Sequence, residues 1–280
     1  SVVVSVILLT GSAFSQIGDK AKRQAQVSAD GFTVIKNNAS TAVKNQARTG
    51  TCWSFSTSSL LESQFIKNTG NSDIDLSEIF TVYYIYIEKA KNYVLRQGRT
   101  QFSEGGLGHD LIRSYATYGA MPESVYSGLR EGEKSLNHSK VVVILKRYLD
   151  ELISAPVVPS NWLDSFKYLL NEHMGTPPAE FDYNGKKYTP KSFAKDVLKF
   201  NSNDYVNITS FTHHPYYAPS ILEVPDNFSN GSYYNIPLAD MILMVKTAID
   251  KGYTVMWDAD VSNSGFMNNN GLALFIQRND

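Results

Sequence analysis

Gln46-Ala47-Arg48-Thr49-Gly50-Thr51-Cys52-Trp53-Ser54-Phe55 is the stretch on which the reading of this chain turns. It holds the single cysteine of the sequence. A helical pattern follows at once, with Phe55, Leu60, Leu61, Phe65 and Ile66 facing inward and Asn68-Thr69-Gly70 as its stop. A thiol at a helix start feels the positive end of the helix dipole, which is expected to lower its pKa toward the nucleophilic thiolate. Gln46, upstream in the same stretch, can place a side-chain amide where an oxyanion forms in acyl transfer. A lone cysteine is more often a small buried hydrophobe, so the weight rests on what surrounds it.

Gln46, Gly50, Cys52, Trp53 and Phe55 together resemble the nucleophile segment of papain-like cysteine peptidases, a Gln followed by Cys-Trp-x-Phe with a Gly two before the Cys. Thr49 stands where the secreted members carry a disulfide cysteine, and that departure resembles the bleomycin hydrolase and aminopeptidase C branch. Asp75-Leu76-Ser77-Glu78 is similar to the start of that branch's second helix. Glu104-Gly105-Gly106, followed by Tyr118-Gly119-Ala120-Met121-Pro122, resembles its substrate-binding Gly-Gly segment and the helix after it. Tyr188–Phe193, Tyr234–Leu238 and Gly252–Val261 look like further branch segments, so the likeness runs from about Asn45 to Val261.

The resemblance implies an α+β, two-lobe papain-like fold with the cleft between a helical and a β-rich lobe. It implies a thioester formed on Cys52, with the Gln46 amide and the Cys52 backbone N–H stabilising the oxyanion. Gly105 and Gly106 would pair with the substrate backbone, and Trp53 would pack beneath that substrate-binding site. Peptides are the implied substrates, with no cofactor and no metal. In that branch a C-terminal tail in the cleft restricts cutting to the peptide N-terminus, and homo-oligomers, commonly cytosolic hexamers, are formed.

At 280 residues the chain can bury a sizeable core, and 42% hydrophobic with 19% charged residues reads as globular. The net charge of −1 gives no field that would steer it to nucleic acid. One cysteine excludes an intramolecular disulfide, and the histidines show no structural zinc spacing. Val2–Leu9 is a short apolar run, and small residues at Ala13 and Ser15 suit a signal-peptidase site before Gln16. The run is too short to span a bilayer. Residues 1–15 are therefore expected to be a clipped export segment and the protein periplasmic or extracellular; a buried N-terminal strand, and the cytoplasm usual for the branch, are the alternatives.

Residues 16–126 read as an N-terminal extension and a helical lobe. Its second helix opens with Asp75 and Glu78 as a capping box and carries Leu76, Ile79, Tyr83, Tyr86, Ala90 and Val94 as a stripe. Its third carries Leu107, Leu111, Ile112 and Tyr115, with Gly119 suited to a left-handed terminus. Residues 127–203 read as a helical insertion, with apolar spacing over 141–153 and 162–173. Residues 204–280 begin a β-rich lobe: a strand near 205–211, and a helix over 237–249 with Leu238, Met241, Ile242, Val245 and Ile249 on one face. A strand follows over 253–261, alternating Tyr253, Val255, Trp257, Ala259 and Val261 with polar residues, and then Asn-rich loops.

The implied mechanism needs a His to share the thiol proton and an Asn to orient it. His109, His138, His173, His213 and His214 do not sit in segments resembling those of the family, so both partners are expected beyond residue 280. A catalytically inactive peptide-binding protein on the same fold is the competing expectation. Serine and metallopeptidase readings find no motif.

Overall fold

The computed structural model describes residues 2–7, 33–259, 261, 264–267 and 272–274, with 2–7, 272 and 273 as backbone only. The cleavage site expected before Gln16, the surface segment at 16–32 and the Asn-rich stretch at 268–271 lie outside the described residues. In chain order the elements are β1 (Val2–Ile7), α1 (Cys52–Thr69), α2 (Glu78–Leu95), α3 (Gly108–Tyr118), α4 (His138–Ser154) and α5 (Trp162–Met174). Then come β2 (Phe181–Tyr183), β3 (Lys186–Tyr188), the short α6 (Pro190–Ser192) running on into a π-turn at Phe193–Val197, β4 (Tyr205–Thr209), β5 (Ala218–Ile221) and β6 (Ser232–Asn235). The helix α7 (Leu238–Asp250), β7 (Met256–Ala259) and the pair β8 (Phe266–Met267) and β9 (Leu272–Ala273) complete the described chain.

The helical lobe is organised around α2. Ile79, Phe80, Val82, Tyr83, Ile85, Tyr86, Ile87, Ala90 and Tyr93 are all buried, which is far more than the single expected stripe. Such a helix is wrapped on most sides. α1, α3, α4 and α5 supply the wrapping, and Leu145, Leu149, Phe166, Leu170 and Met174 of the expected insertion lie in the same core as α2. Each large apolar side chain buried this way contributes about 1.5–3 kcal/mol.

The cap of α2 differs from the expected pairing of Asp75 with Glu78. Ser77 is the N-cap, its hydroxyl accepting from the Phe80 N–H at 3.1 Å. Asp75 and Glu78 turn instead to Lys44, whose Nζ reaches Glu62 at 2.9 Å, Glu78 at 2.8 Å and Asp75 at 2.5 Å. Glu62 is wholly buried in α1 and also accepts the Leu76 N–H at 2.7 Å. Gly119 has a positive φ of 91° with ψ −158°, outside the left-handed helical region, and a Cβ there would lie 2.2 Å from the Pro190 carbonyl carbon.

The β-rich part is built on a five-stranded sheet in the order β5-β6-β4-β1-β7, with β2–β3 and β8–β9 as separate two-stranded pairs. β4 and β6 run parallel, and the other neighbours are antiparallel. Val2–Ile7, the apolar run of the expected export segment, is thus a strand between β4 and β7 in this chain, and cleavage before Gln16 would remove it. α7 packs on the sheet through Met241, Met244, Val245 and Ala248 against Ile208 and Ile236. The buried face of α7 is therefore rotated from the expected one, and Leu238 and Ile242 are exposed.

The phase of β7 is also reversed. Met256 is the buried residue, packed with Leu60 of α1, while Trp257 is exposed. The strand faces α1 on one side, and Tyr253 and Val255 just before it lie against α7 on the other, so its apolar alternation does not say which face meets the nucleophile helix. No helix among the described residues is long and apolar enough to cross a membrane.

Glu123 lies beside the Lys44 cluster with one carboxylate oxygen unpaired. Burial, reinforced by Glu78 and Asp75, pushes its pKa from 4.5 up to about 8. The folded state then holds a proton that the unfolded chain releases, so this carboxyl's contribution to stability falls as pH rises from 4.5 to about 8. Glu123→Gln should flatten that decline in chemical unfolding measured across the same range.

Candidate active site

Cys52 is the first residue of α1 and is exposed. Its helix starts there because Thr51 leaves the extended region and its carbonyl accepts the Ser54 N–H at 2.9 Å. The backbone N–H groups of Cys52 and Trp53 favour the thiolate and pull its pKa down. They do not prevail. Partial desolvation and the negative charges of Asp258 and Asp226 raise the thiol pKa, the reverse of the direction expected from the helix dipole alone. Dipole effects at such a position are about 0.3–1 kcal/mol and are readily outweighed.

The loop before Cys52 is closed on itself. The Gln46 side-chain amide donates to the Thr49 carbonyl at 2.6 Å, the Thr49 hydroxyl donates back to the Gln46 carbonyl at 2.9 Å, and the Thr49 and Thr51 hydroxyls meet at 2.6 Å. A carboxamide nitrogen carries two hydrogens, so one donor of Gln46 is not used in this bond. The strap leading into the loop is tied to both parts of the fold: Lys44 to Glu62 midway along α1 and to Glu78 at the head of α2, and Asn38 to the Ile249 and Tyr253 carbonyls at 2.9 and 2.7 Å.

Residues 103–106 form the neighbouring wall. The Glu104 carboxylate accepts the Gly50 N–H at 2.5 Å, and its carbonyl accepts the Trp53 indole N–H at 3.0 Å. Trp53 is 2% exposed, so it is a floor beneath the segment rather than a surface open to a ligand. Gly106 lies on that floor: a Cβ would fall 2.7 Å from the indole. Gly105 faces Asp226, where a Cβ would fall 2.3 Å from a carboxylate oxygen. The Gly105 carbonyl is taken by Lys89, whose Nζ also donates to the Ser103 carbonyl at 2.9 Å.

Lys89 is 2% exposed, and burial lowers its pKa against the pull of Asp226 and Asp110. A buried carbonyl left unpaired costs about 1–3 kcal/mol, so this ammonium fixes the course of 103–105. Asp226 and Lys89 were not marked by the sequence reading, and Glu104 and Asp258 were quoted only within longer segments, without a role. Only Lys89 carried a signal, a cation at helical spacing from the apolar Ile85, Tyr86 and Tyr93.

The histidines have other partners. His109 bridges Tyr233 and Ser229, both at 3.0 Å, and burial lowers its pKa. His138 meets the Tyr86 hydroxyl at 3.2 Å, and burial takes its pKa to about 4. His213 and His214 both face Glu223, and His173 lines a cavity beside His138. Among the described residues no imidazole is hydrogen-bonded to Cys52.

An exposed cysteine heading a buried helix, a glutamine loop before it and a glycine wall beside it make a two-lobe nucleophile half-site. Residues 28–82 match the family of papain family cysteine proteases. The fold agrees: the crystal structure of PepW from Lactobacillus rhamnosis HN001 superposes with a TM-score of 0.65 at 19% identity, covering 78% of this chain and 58% of that one. The chain is similar to papain-like peptidases of the aminopeptidase C branch. It is 24% identical over 263 residues to aminopeptidase C of Listeria monocytogenes, covering 80% of this chain and 59% of that protein. It is likewise 24% identical to aminopeptidase G of Lactobacillus delbrueckii subsp. lactis, over 78% of this chain and 59% of that one. The chain spans about three fifths of the length of these relatives.

Asp258 sits two residues along β7 from Met256, on the face turned to α1, and its own pKa is raised by desolvation and by Asp226. Removing its charge should lower the Cys52 pKa. Asp258→Asn is expected to speed iodoacetamide labelling of Cys52 near neutral pH by up to about tenfold, the effect of one pKa unit. A pH–rate profile that superposes on the parent's would show that Asp258 does not act on the thiol.

Proposed function

We propose that the protein is a cysteine peptidase acting on the N-terminal end of peptides. The supporting observation is Cys52: an exposed thiol at the head of α1, with the Gln46 amide in the loop before it. The names of the relatives, aminopeptidases C and G, support the exopeptidase mode.

In the proposed reaction the Cys52 sulfur bonds to the scissile carbonyl carbon as its proton passes to an imidazole. The oxyanion is held by the Cys52 N–H and the Gln46 amide. The C–N bond then breaks, the imidazole returns the proton to the leaving amine, and a thioester remains. Water adds to that thioester, releasing the acid and the thiol. The raised pKa of Cys52 gives the imidazole a defined task, since an adjacent imidazolium would offset the two carboxylates that now favour the neutral thiol. That histidine, with the asparagine that orients it, is proposed to be carried outside these 280 residues, as the resemblance implies.

Trp53, Lys89 and Glu104 are positioning residues in this reading: they hold the 103–106 wall against the nucleophile helix. Gly105 and Gly106 are proposed to take the substrate backbone alongside, because a Cβ at either would collide with what lies behind it and no side chain then stands between wall and peptide. A homo-oligomer is proposed from the same branch resemblance.

In the full-length protein, Cys52→Ala is expected to abolish hydrolysis of aminoacyl-coumarin substrates. Gln46→Ala should lower kcat on the order of 100-fold with little change in KM, the cost of one oxyanion donor. Hydrolysis that survives Cys52→Ala would sink the proposal, and full turnover in Gln46→Ala would take that residue out of the mechanism. A parent protein that binds peptides without cleaving them would be a binding module on the same fold.

A further inference from the structure

We infer that His213, His214 and Glu223 form a site for a divalent transition metal of zinc chemistry at the β5 edge of the sheet. Three ligand atoms, one from each side chain, lie within 4.8 Å of one another. Both imidazoles turn Nε2 to the same carboxylate oxygen of Glu223, at 3.6 Å from His213 and 3.5 Å from His214. These distances are long for hydrogen bonds, whose N···O separations are about 2.7–3.2 Å. They are close to the edge of a tetrahedron around zinc: ligands about 2.0–2.2 Å from the ion lie about 3.3–3.6 Å apart. Two imidazoles with one carboxylate is a borderline donor set suited to zinc, and it leaves a fourth position for water.

The backbone explains how neighbouring residues converge. In an extended strand successive side chains point to opposite faces. Here residues 212–214 form a turn and a bend, and the two rings lie 4.2 Å apart at 44°. Each arm is anchored from beneath by a buried asparagine. The Asn235 amide nitrogen donates to the carbonyls of Phe211, His214 and Pro215 at 2.9–3.1 Å, and its oxygen accepts the Phe211 N–H at 2.7 Å. On the other arm, Asn227 donates to the Leu222 carbonyl at 2.8 Å, and the buried Leu222 places Glu223 next in line. A ligand set held by a rigid second layer loses less freedom on binding.

None of the three side chains is among the groups that shift the Cys52 thiol. The ion would join the connection after β4 to the residue following Leu222, stapling both ends of strand β5, which among the described residues is paired on one side alone.

The test is a Zn2+ and Co2+ titration of the 280-residue chain carrying Cys52→Ser, so that the thiol cannot serve as a ligand. One equivalent should bind. Co2+ should give the intense visible d–d absorption of a four-coordinate centre, and Zn2+ should raise the thermal unfolding midpoint. His214→Ala and Glu223→Gln should each weaken binding by 10–100-fold or more, since even supporting residues cost that much. Glu223→Gln, on an exposed position, should leave the circular dichroism unchanged, and His173→Ala should leave the affinity unchanged. No stoichiometric binding, an octahedral Co2+ spectrum, or equal affinity in Glu223→Gln and the parent would overturn the assignment.

Discussion

The indole of Trp53 resting on Gly106 is the contact from which the site is built. It joins the first turn of the nucleophile helix to the wall beside it, and no residue with a Cβ could stand at 106 without pushing them apart. The indole N–H secures the contact from one side through the Glu104 carbonyl, and Lys89 secures the same segment from the α2 side. Apolar packing and satisfied polar groups therefore act on one short stretch. Its geometry is decided by the core of the helical lobe rather than by the loop's own preferences.

The polar groups inside this lobe carry a cost that the fold meets by pairing. Lys44 closes on Glu62, Glu78 and Asp75, and Arg113 on Glu88 and Asp110. Such clusters add little net stability compared with apolar packing, but they are unforgiving of misplacement because a charge left alone in the interior is expensive. Lys44 lies two residues before Gln46, so this constraint also fixes where the expected oxyanion donor begins. Cys52 shows the opposite economy. Its environment keeps the thiol neutral, which suits a nucleophile that is to be ionised only by a specific partner.

Long amphipathic segments were legible because burial and helical periodicity reinforce each other, as in α1, α3, α4 and α5. The nucleophile loop was legible because its residue types are scarce and their spacing is tight. What misled was apolar character on more than one side. The alternation in β7 placed Trp257 inside, whereas Met256 is the residue packed on Leu60. The stripe of α7 took in Leu238 and Ile242, which the sheet does not cover. The proposed capping box at Asp75 and Glu78 failed for a different reason: both carboxylates had a stronger partner in Lys44, which the local sequence does not display.

By itself the sequence determined that a cysteine heads a helix, that a glutamine loop precedes it and that helices give way to strands, because each of these is written in short-range spacing. Tertiary structure alone decided the charge felt by the sulfur, since Asp226 and Asp258 reach it from distant segments. It alone placed Lys89 under the glycine wall and turned His213 and His214 toward Glu223. Electrostatic and ligand geometry depend on distances across the fold, and no local pattern encodes those distances.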